Sequence, residues 1–153
     1  MSIPASYRAP WDLGAILGES PFLAGLGICF TYLGRDGARF ELLQERRHLN
    51  AEGRMHGGMI ASLLDAACGL PVRVLGDGQD LVRAVTLSLN IDYLAAPRGP
   101  LVRARGRITG GGRRIVFSQG EVLDQDGTPV AQAAGCFKRL FPASPGQTSE
   151  EHQ

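Results

Sequence analysis

Chemistry-bearing residues are densest in 48–69, HLNAEGRMHGGMIASLLDAACG, where two histidines, an asparagine, a glycine pair and one acid stand close together in the chain. Asp65 is the side chain there best suited to take a proton from water or to attack an electrophile. Gly57 and Gly58 open the apolar run that follows, and a helix start offers unpaired N–H groups and the positive end of the helix dipole. Such a position can hold negative charge as it develops on a carbonyl oxygen. Glycine lets that oxygen come close with no β-carbon in the way. The Gly57 N–H is therefore the candidate oxyanion donor, and the competing explanation is a helix-entry turn that needs unusual dihedrals.

These groups must be carried by a helix. Ile60, Leu63, Leu64, Ala67 and Cys68 fall at the i, i+3, i+4, i+7, i+8 spacing of one buried stripe. Asp65 lies beside that stripe, and its side carries the small residues Ala61, Ser62, Ala66 and Gly69, which would admit a ligand or another backbone. A carboxylate in such apolar company is costly to ionise, although a carboxylate satisfied by local hydrogen bonds is the plainer possibility. At ~1.5 Å rise per residue, Asp65 is on the order of 12 Å along the helix from Gly57, too far for both to act on one carbonyl. Two copies related by a two-fold axis would solve this, the helix start of one facing the Asp of the other, which predicts an obligate dimer.

The rest of the chain supplies strands. Residues 1–9 read as a flexible start, and Pro10 opens a short helical candidate over 10–20 with Trp11 as packing anchor. Segments 26–34 and 38–45 flank an Asp36-Gly37 turn as a hairpin, 46–55 reads as a loop, and the helix ends between 71 and 76. Val85, Leu87, Leu89, Ile91 and Tyr93 alternate with Thr86, Ser88, Asn90 and Asp92, the period of a half-buried strand. Segments 101–108, 114–123 and 130–141 follow as an antiparallel meander, and 142–153 has the composition of a flexible tail. One amphipathic helix covers so large a sheet only if the sheet curls around it, so 10–141 is expected to form a single α+β domain with an antiparallel sheet wrapped around a central helix.

Composition narrows the partners. With 16 Lys and Arg against 15 Asp and Glu the net charge is +1, which gives no long-range attraction for nucleic acid or a membrane surface. Cys29, Cys68 and Cys136 are odd in number, sit among apolar residues and lack ligand spacing, so they read as reduced core thiols with no metal site. There is no basic segment followed by an apolar run at the N-terminus and no stretch of spanning length, so a soluble cytoplasmic protein is expected.

The pattern HxNxxGxxHGG at 48–58, an Asp on the following helix, Asn90-Ile91-Asp92-Tyr93-Leu94 with Pro97, and Gly112-Arg113-Arg114 before a strand together resemble the PaaI-type acyl-CoA thioesterases, over about 11–140. The resemblance implies the hotdog fold and hydrolysis of an acyl-CoA to acid and coenzyme A, with no cofactor beyond the coenzyme A of the substrate. It implies a homodimer at least, and a homotetramer as a dimer of dimers. Asp65 would be general base or nucleophile. Asn50 matches the family's catalytic Asn and could donate its amide to the carbonyl or orient water, though a loop Asn is ordinarily a turn residue. Thr86 stands where the family has a hydroxyl and could hold water or Asp65, or be simply a strand Thr. His48 and His56 would order the loop or line the site, packing being the expected role of His48. Coenzyme A carries phosphates, for which Arg83, Arg113 and Arg114, together with Gly58, are the candidates; a solvated turn is the plain account of the two turn arginines. A non-catalytic acyl-CoA-binding or regulatory module is the alternative, and a hydratase, needing an Asp and His pair as acid and base, is a weaker third.

Overall fold

The computed structural model describes residues 20–76 and 80–142. The helix expected over 10–20 therefore lies outside the described residues except for Ser20, as do the segment 1–9 and all but Pro142 of the tail. Ser20 caps a short helix α1 (Pro21–Gly25) that the sequence reading did not include, its Oγ accepting from the Leu23 N–H. The hairpin follows as β1 (Cys29–Gly34) and β2 (Gly37–Leu43). A 3₁₀ turn (Arg46–His48) then leads to the long helix α2 (Gly57–Arg73), a two-stranded ribbon of β3 (Val74–Leu75) and β4 (Asp80–Leu81), and the strands β5 (Arg83–Tyr93), β6 (Leu101–Gly111), β7 (Ile115–Leu123) and β8 (Pro129–Leu140). The main sheet has six strands in the order β1-β2-β6-β7-β8-β5, each pair antiparallel. It is the α+β hotdog arrangement, with α2 lying in the curl of the sheet.

Helix and sheet meet at near-backbone distance. A β-carbon on Gly106 of β6 would stand 2.0 Å from the Ala67 carbonyl oxygen, so only glycine permits the contact. Pro71, four residues beyond Ala67, has no N–H to give that carbonyl. The Ser118 hydroxyl of β7 donates to the Cys68 carbonyl at 2.9 Å and is itself buried, so the middle of the helix is tied to the sheet by a hydrogen bond as well as by packing. Met59, Ile60, Leu63, Leu64, Ala67 and Cys68 are buried against Phe40, Leu42, Val102, Val122, Ala131 and Phe137. Each large apolar side chain so enclosed contributes about 1.5–3 kcal/mol.

Two expectations change here. The sheet covers a wider arc of α2 than one stripe, so Ala66 is buried in the chain's own core and Gly69 lies against Phe137; Ala61, Ser62 and Gly69 remain partly accessible. The alternation in β5 is also interrupted. Its register against β8 slips between Thr86 and Ser88, leaving Leu87 as the extra residue of a β-bulge. Before the bulge Ala84 and Thr86 turn to the helix side; after it Leu89, Ile91 and Tyr93 do. Val85 and Leu87 are left exposed, at 42% and 54%.

Candidate active site

The bulge gives Thr86 its place. Because the register slips just beyond it, Thr86 faces α2, and its hydroxyl donates to Asp65 Oδ1 at 2.8 Å. Asp65 is exposed in the single chain, so the apolar enclosure expected for it is not supplied by its own residues. Its other carboxylate oxygen is left to accept from water or from a ligand.

At the helix start the two glycines differ. The Gly58 N–H donates to the Nδ1 of His56, the N-cap residue, at 2.8 Å. Accepting that bond fixes His56 as the tautomer with its proton on Nε2. A β-carbon on Gly58 would stand 2.9 Å from the same Nδ1 and push the His56 ring off its cap, so the cap favours glycine. The Gly57 N–H has no protein partner among the described residues. Gly57 does not adopt a positive φ, which removes the unusual-dihedral explanation, and a β-carbon there would meet nothing closer than Tyr93 Cε1 at 3.6 Å, ordinary contact. The chain's own fold has room for alanine at this position and gains helix propensity from it.

Asn50 proves to be a turn residue whose amide is aimed by the turn. Its Oδ1 accepts from the Glu52 and Arg54 N–H groups at 3.1 and 3.0 Å, and its backbone N–H donates to the Arg54 carbonyl at 2.7 Å. Both partners of the side-chain oxygen are donors, so the NH₂ is the end left to reach outward. His48 is buried, with Nδ1 accepting from the Glu45 N–H and Nε2 donating to the Leu26 carbonyl, each at 3.0 Å. It holds the loop to the segment after α1 and has no free nitrogen for chemistry.

The proposed coenzyme A contacts divide. Gly58 is at the helix start, near Tyr93, the last residue of β5. Arg83 is the first residue of that strand, opposite Leu140, and the Arg114 carbonyl accepts from the Arg139 N–H beside it, so Arg83 and Arg114 share the other end of the sheet. Arg113 lies over the Phe141 ring at 4.6 Å. At ~3.3 Å per strand residue the two ends of β5 are on the order of 30 Å apart, so one chain does not join Gly58 to these arginines. A groove of about 610 Å³, lined by Arg39, Asn90, Asp92, Arg105, Arg107 and Glu121, opens on the face of the sheet away from Asp65 and takes no part in this constellation. Among the described residues no cluster of His, Cys, Asp and Glu has the makings of a metal site, and no helix is long and apolar enough to cross a membrane.

Sequence reasoning gave Tyr93 no role at the helix start. Its hydroxyl donates to the Gly57 carbonyl at 3.1 Å. The signal was the odd-residue phase of β5 beyond the bulge, which turns Tyr93 toward the start of α2.

The chain was compared with known proteins. An esterase candidate of Halobacterium salinarum is 32% identical over 96 residues, which is 60% of this chain and 64% of that one. A medium/long-chain acyl-CoA thioesterase of Salmonella typhimurium is 29% identical over 98 residues, 57% and 63% of the two chains. The match thus spans under two thirds of each of these relatives. Among solved structures, a conserved protein of Pseudomonas aeruginosa superposes with a TM-score of 0.72 at 30% identity, over 79% of this chain and 94% of that one. The PaaI protein of Escherichia coli superposes with a TM-score of 0.75 over 85% and 91%, and at 21% identity it shows the shared fold alone. The family model described as the thioesterase superfamily matches residues 52–131, which take in the helix start, Asp65, Thr86 and Tyr93. The chain belongs to the thioesterase superfamily.

Proposed function

We propose that the protein is an acyl-CoA thioesterase whose reaction centre is assembled from two copies of the chain. The observation that carries the reading is Gly57: a free N–H at the start of the long helix, on a glycine that the fold of one chain does not require. That is what a site built for an approaching carbonyl oxygen calls for. The Asn50 amide would be a second donor to the oxygen. Asp65, oriented by Thr86, would take a proton from water or attack the thioester carbon itself. With Asp65 as base, the C–S bond then breaks and the proton taken from water passes to the departing coenzyme A thiolate. With Asp65 as nucleophile, C–S cleavage leaves a mixed anhydride, which a water hydrolyses to release the acid, restore the carboxylate and supply the thiolate's proton.

The second copy has a place to dock. β5 is the edge of the main sheet, bonded to β8 on one side, and its other edge has exposed Val85 and Leu87 beside it. An edge of this length that no described strand covers invites a further strand. Antiparallel pairing of β5 with its copy about a two-fold axis at Asn90, with the bulged Leu87 skipped on each strand, would set Thr86 of one chain across from Tyr93 of the other. Asp65, bonded to Thr86, would then approach the partner's Gly57, bonded to Tyr93. The same pairing would carry the Arg83 end of one sheet to the partner's helix start, uniting Gly58 with Arg83, Arg113 and Arg114 at the mouth where coenzyme A phosphates would lie. Two such dimers would complete the expected homotetramer.

The family membership and the acyl-CoA thioesterase of Salmonella support this substrate class over other esters. The test is thiol release over a panel of acetyl-, octanoyl-, palmitoyl- and benzoyl-CoA, comparing the natural protein with Asp65→Asn. Turnover of a panel member that falls at least a hundredfold in the variant is the expected result. Equal turnover would remove Asp65 from the mechanism, and binding of the panel without turnover would leave a non-catalytic acyl-CoA module.

A further inference from the structure

The amide proposed to hold the oxyanion belongs to the peptide joining His56 to Gly57, and it opens a glycine pair, the dipeptide with the greatest backbone freedom. A donor free to swing would lose much of its value, because electrostatic stabilisation depends on dipoles that are already oriented when charge develops. How is the Gly57 N–H kept in place? The peptide unit joining Gly57 to Gly58 has one C=O and one N–H, and both are held by side chains. His56 accepts from the Gly58 N–H at 2.8 Å, and Tyr93 donates to the Gly57 carbonyl at 3.1 Å. Those two side chains come from different elements, the loop before α2 and the end of β5, so the plane is gripped from both sides. The Tyr93 ring also lies alongside Gly57, with Cε1, Cζ and Oη 3.6–3.7 Å from the position of a β-carbon there.

The bond is not what a structural tyrosine would need. Within one chain Tyr93 is 54% exposed, and its ring makes no large contribution to the core. Helix α2 already has its N-cap in His56. What the Tyr93 hydroxyl adds, beside the intrahelical Ala61 N–H to the same carbonyl, is a second hold on one peptide plane.

We infer that Tyr93 is a positioning residue for the reaction: by holding the Gly57 carbonyl it fixes the plane next to the Gly57 N–H and keeps that donor aimed at the substrate carbonyl oxygen. The inference rests on the Gly57 reading above, and its test separates the two. Tyr93→Phe keeps the ring and removes only the hydroxyl; Gly57→Pro removes the N–H that the hydroxyl serves. With the panel thioester of highest kcat/KM, Tyr93→Phe is expected to lower kcat five- to tenfold while KM stays within twofold and the thermal midpoint and oligomeric state are unchanged. In the Gly57→Pro background the same substitution is expected to lower kcat no further, since the donor it positions is gone. A wild-type kcat in Tyr93→Phe, a loss that falls on KM, a loss accompanied by a lowered midpoint, or losses that multiply in the double variant would each overturn the role of Tyr93. Full activity of Gly57→Pro alone would instead overturn the oxyanion reading.

Discussion

Proline at position 57 separates the helix from its chemistry more cleanly than any other substitution. Gly57 is the first residue of α2, where a backbone N–H has no intrahelical acceptor and proline is accommodated. The residue before a proline must be extended, and His56 already is, at φ −64° and ψ 136°. The new β-carbon meets Tyr93 Cε1 at 3.6 Å, ordinary contact, and the N–H that is lost bonds to no described protein group. The variant should therefore fold with a stability within about 1 kcal/mol of the natural protein, since no intrahelical bond is broken. Loss of a single oxyanion donor costs about 10²–10³ in kcat, or ~2.7–4 kcal/mol of transition-state stabilisation. Gly57→Ala is the companion: it keeps the N–H, should not destabilise the helix, and would lower kcat only by crowding the substrate. Gly58→Ala should behave differently again, because its β-carbon 2.9 Å from His56 Nδ1 displaces the cap and costs about 1 kcal/mol. The assay is steady-state thiol release with thermal melts on the same samples. A folded Gly57→Pro variant with kcat within threefold of the natural protein would refute the reasoning.

Thr86→Val preserves shape and removes the hydroxyl bonded to Asp65, so kcat should fall about tenfold, with the folding midpoint little changed, as steady-state kinetics and a melt would show. Burial pushes the Cys68 thiol up to about 11, so the folded state holds its proton after the unfolded chain has lost it. The thiol's own contribution should accordingly be flat below about 9 and lower stability between there and about 11, so Cys68→Ala should reduce the alkaline slope in denaturant titrations run across that range. The Asp124 carboxyl, buried at the β7–β8 turn, is held below the usual carboxylate range by the N–H of Thr128, with further help from Asp126 and Arg98. Its contribution should be present above the ordinary carboxylate range and be lost as pH falls through the lower folded value, so Asp124→Asn should flatten the acid limb of the stability curve without changing kcat.

The long helix and the main strands were legible because a curled sheet on one helix imposes two clear periods, 3.6 on α2 and two on the strands. The start of α2 was legible from the glycine pair. Less visible was which face of β5 is inward. From Val85 on its odd residues are apolar or aromatic, so the alternation runs unbroken through Leu87, yet a single extra residue there reverses the phase and turns Thr86, not Val85, toward Asp65. A bulge leaves no mark on a pattern when the residues it displaces are accommodated at an exposed edge. Ala66 was misplaced for a related reason: a helix covered over a wide arc buries small residues beyond the i, i+3, i+4 stripe. Gly69 is half-buried, and it is small because Phe137 packs on it. The two-ended character of the site was half legible. Spacing along the helix separates Gly57 from Asp65, but the distance from Gly58 to Arg83 depends on the direction in which β5 runs past α2, which composition does not encode. Asn50 held two readings at once, and the fold joins them, since the turn that occupies its oxygen is what leaves its amide free.

The claim that each reaction centre draws on two chains is tested most directly by mixing two inactive variants. Asp65→Asn and Gly57→Pro, carrying different tags and coexpressed, are purified as the mixed species by tandem affinity and assayed for thiol release. If the Asp of one chain serves the glycine of the other, the mixed dimer contains one centre in which both residues are natural, and it should recover about half the wild-type kcat although each parent is nearly inactive. If both residues act within one chain, every centre in the mixed species is damaged, and activity no higher than that of the parents would contradict the account.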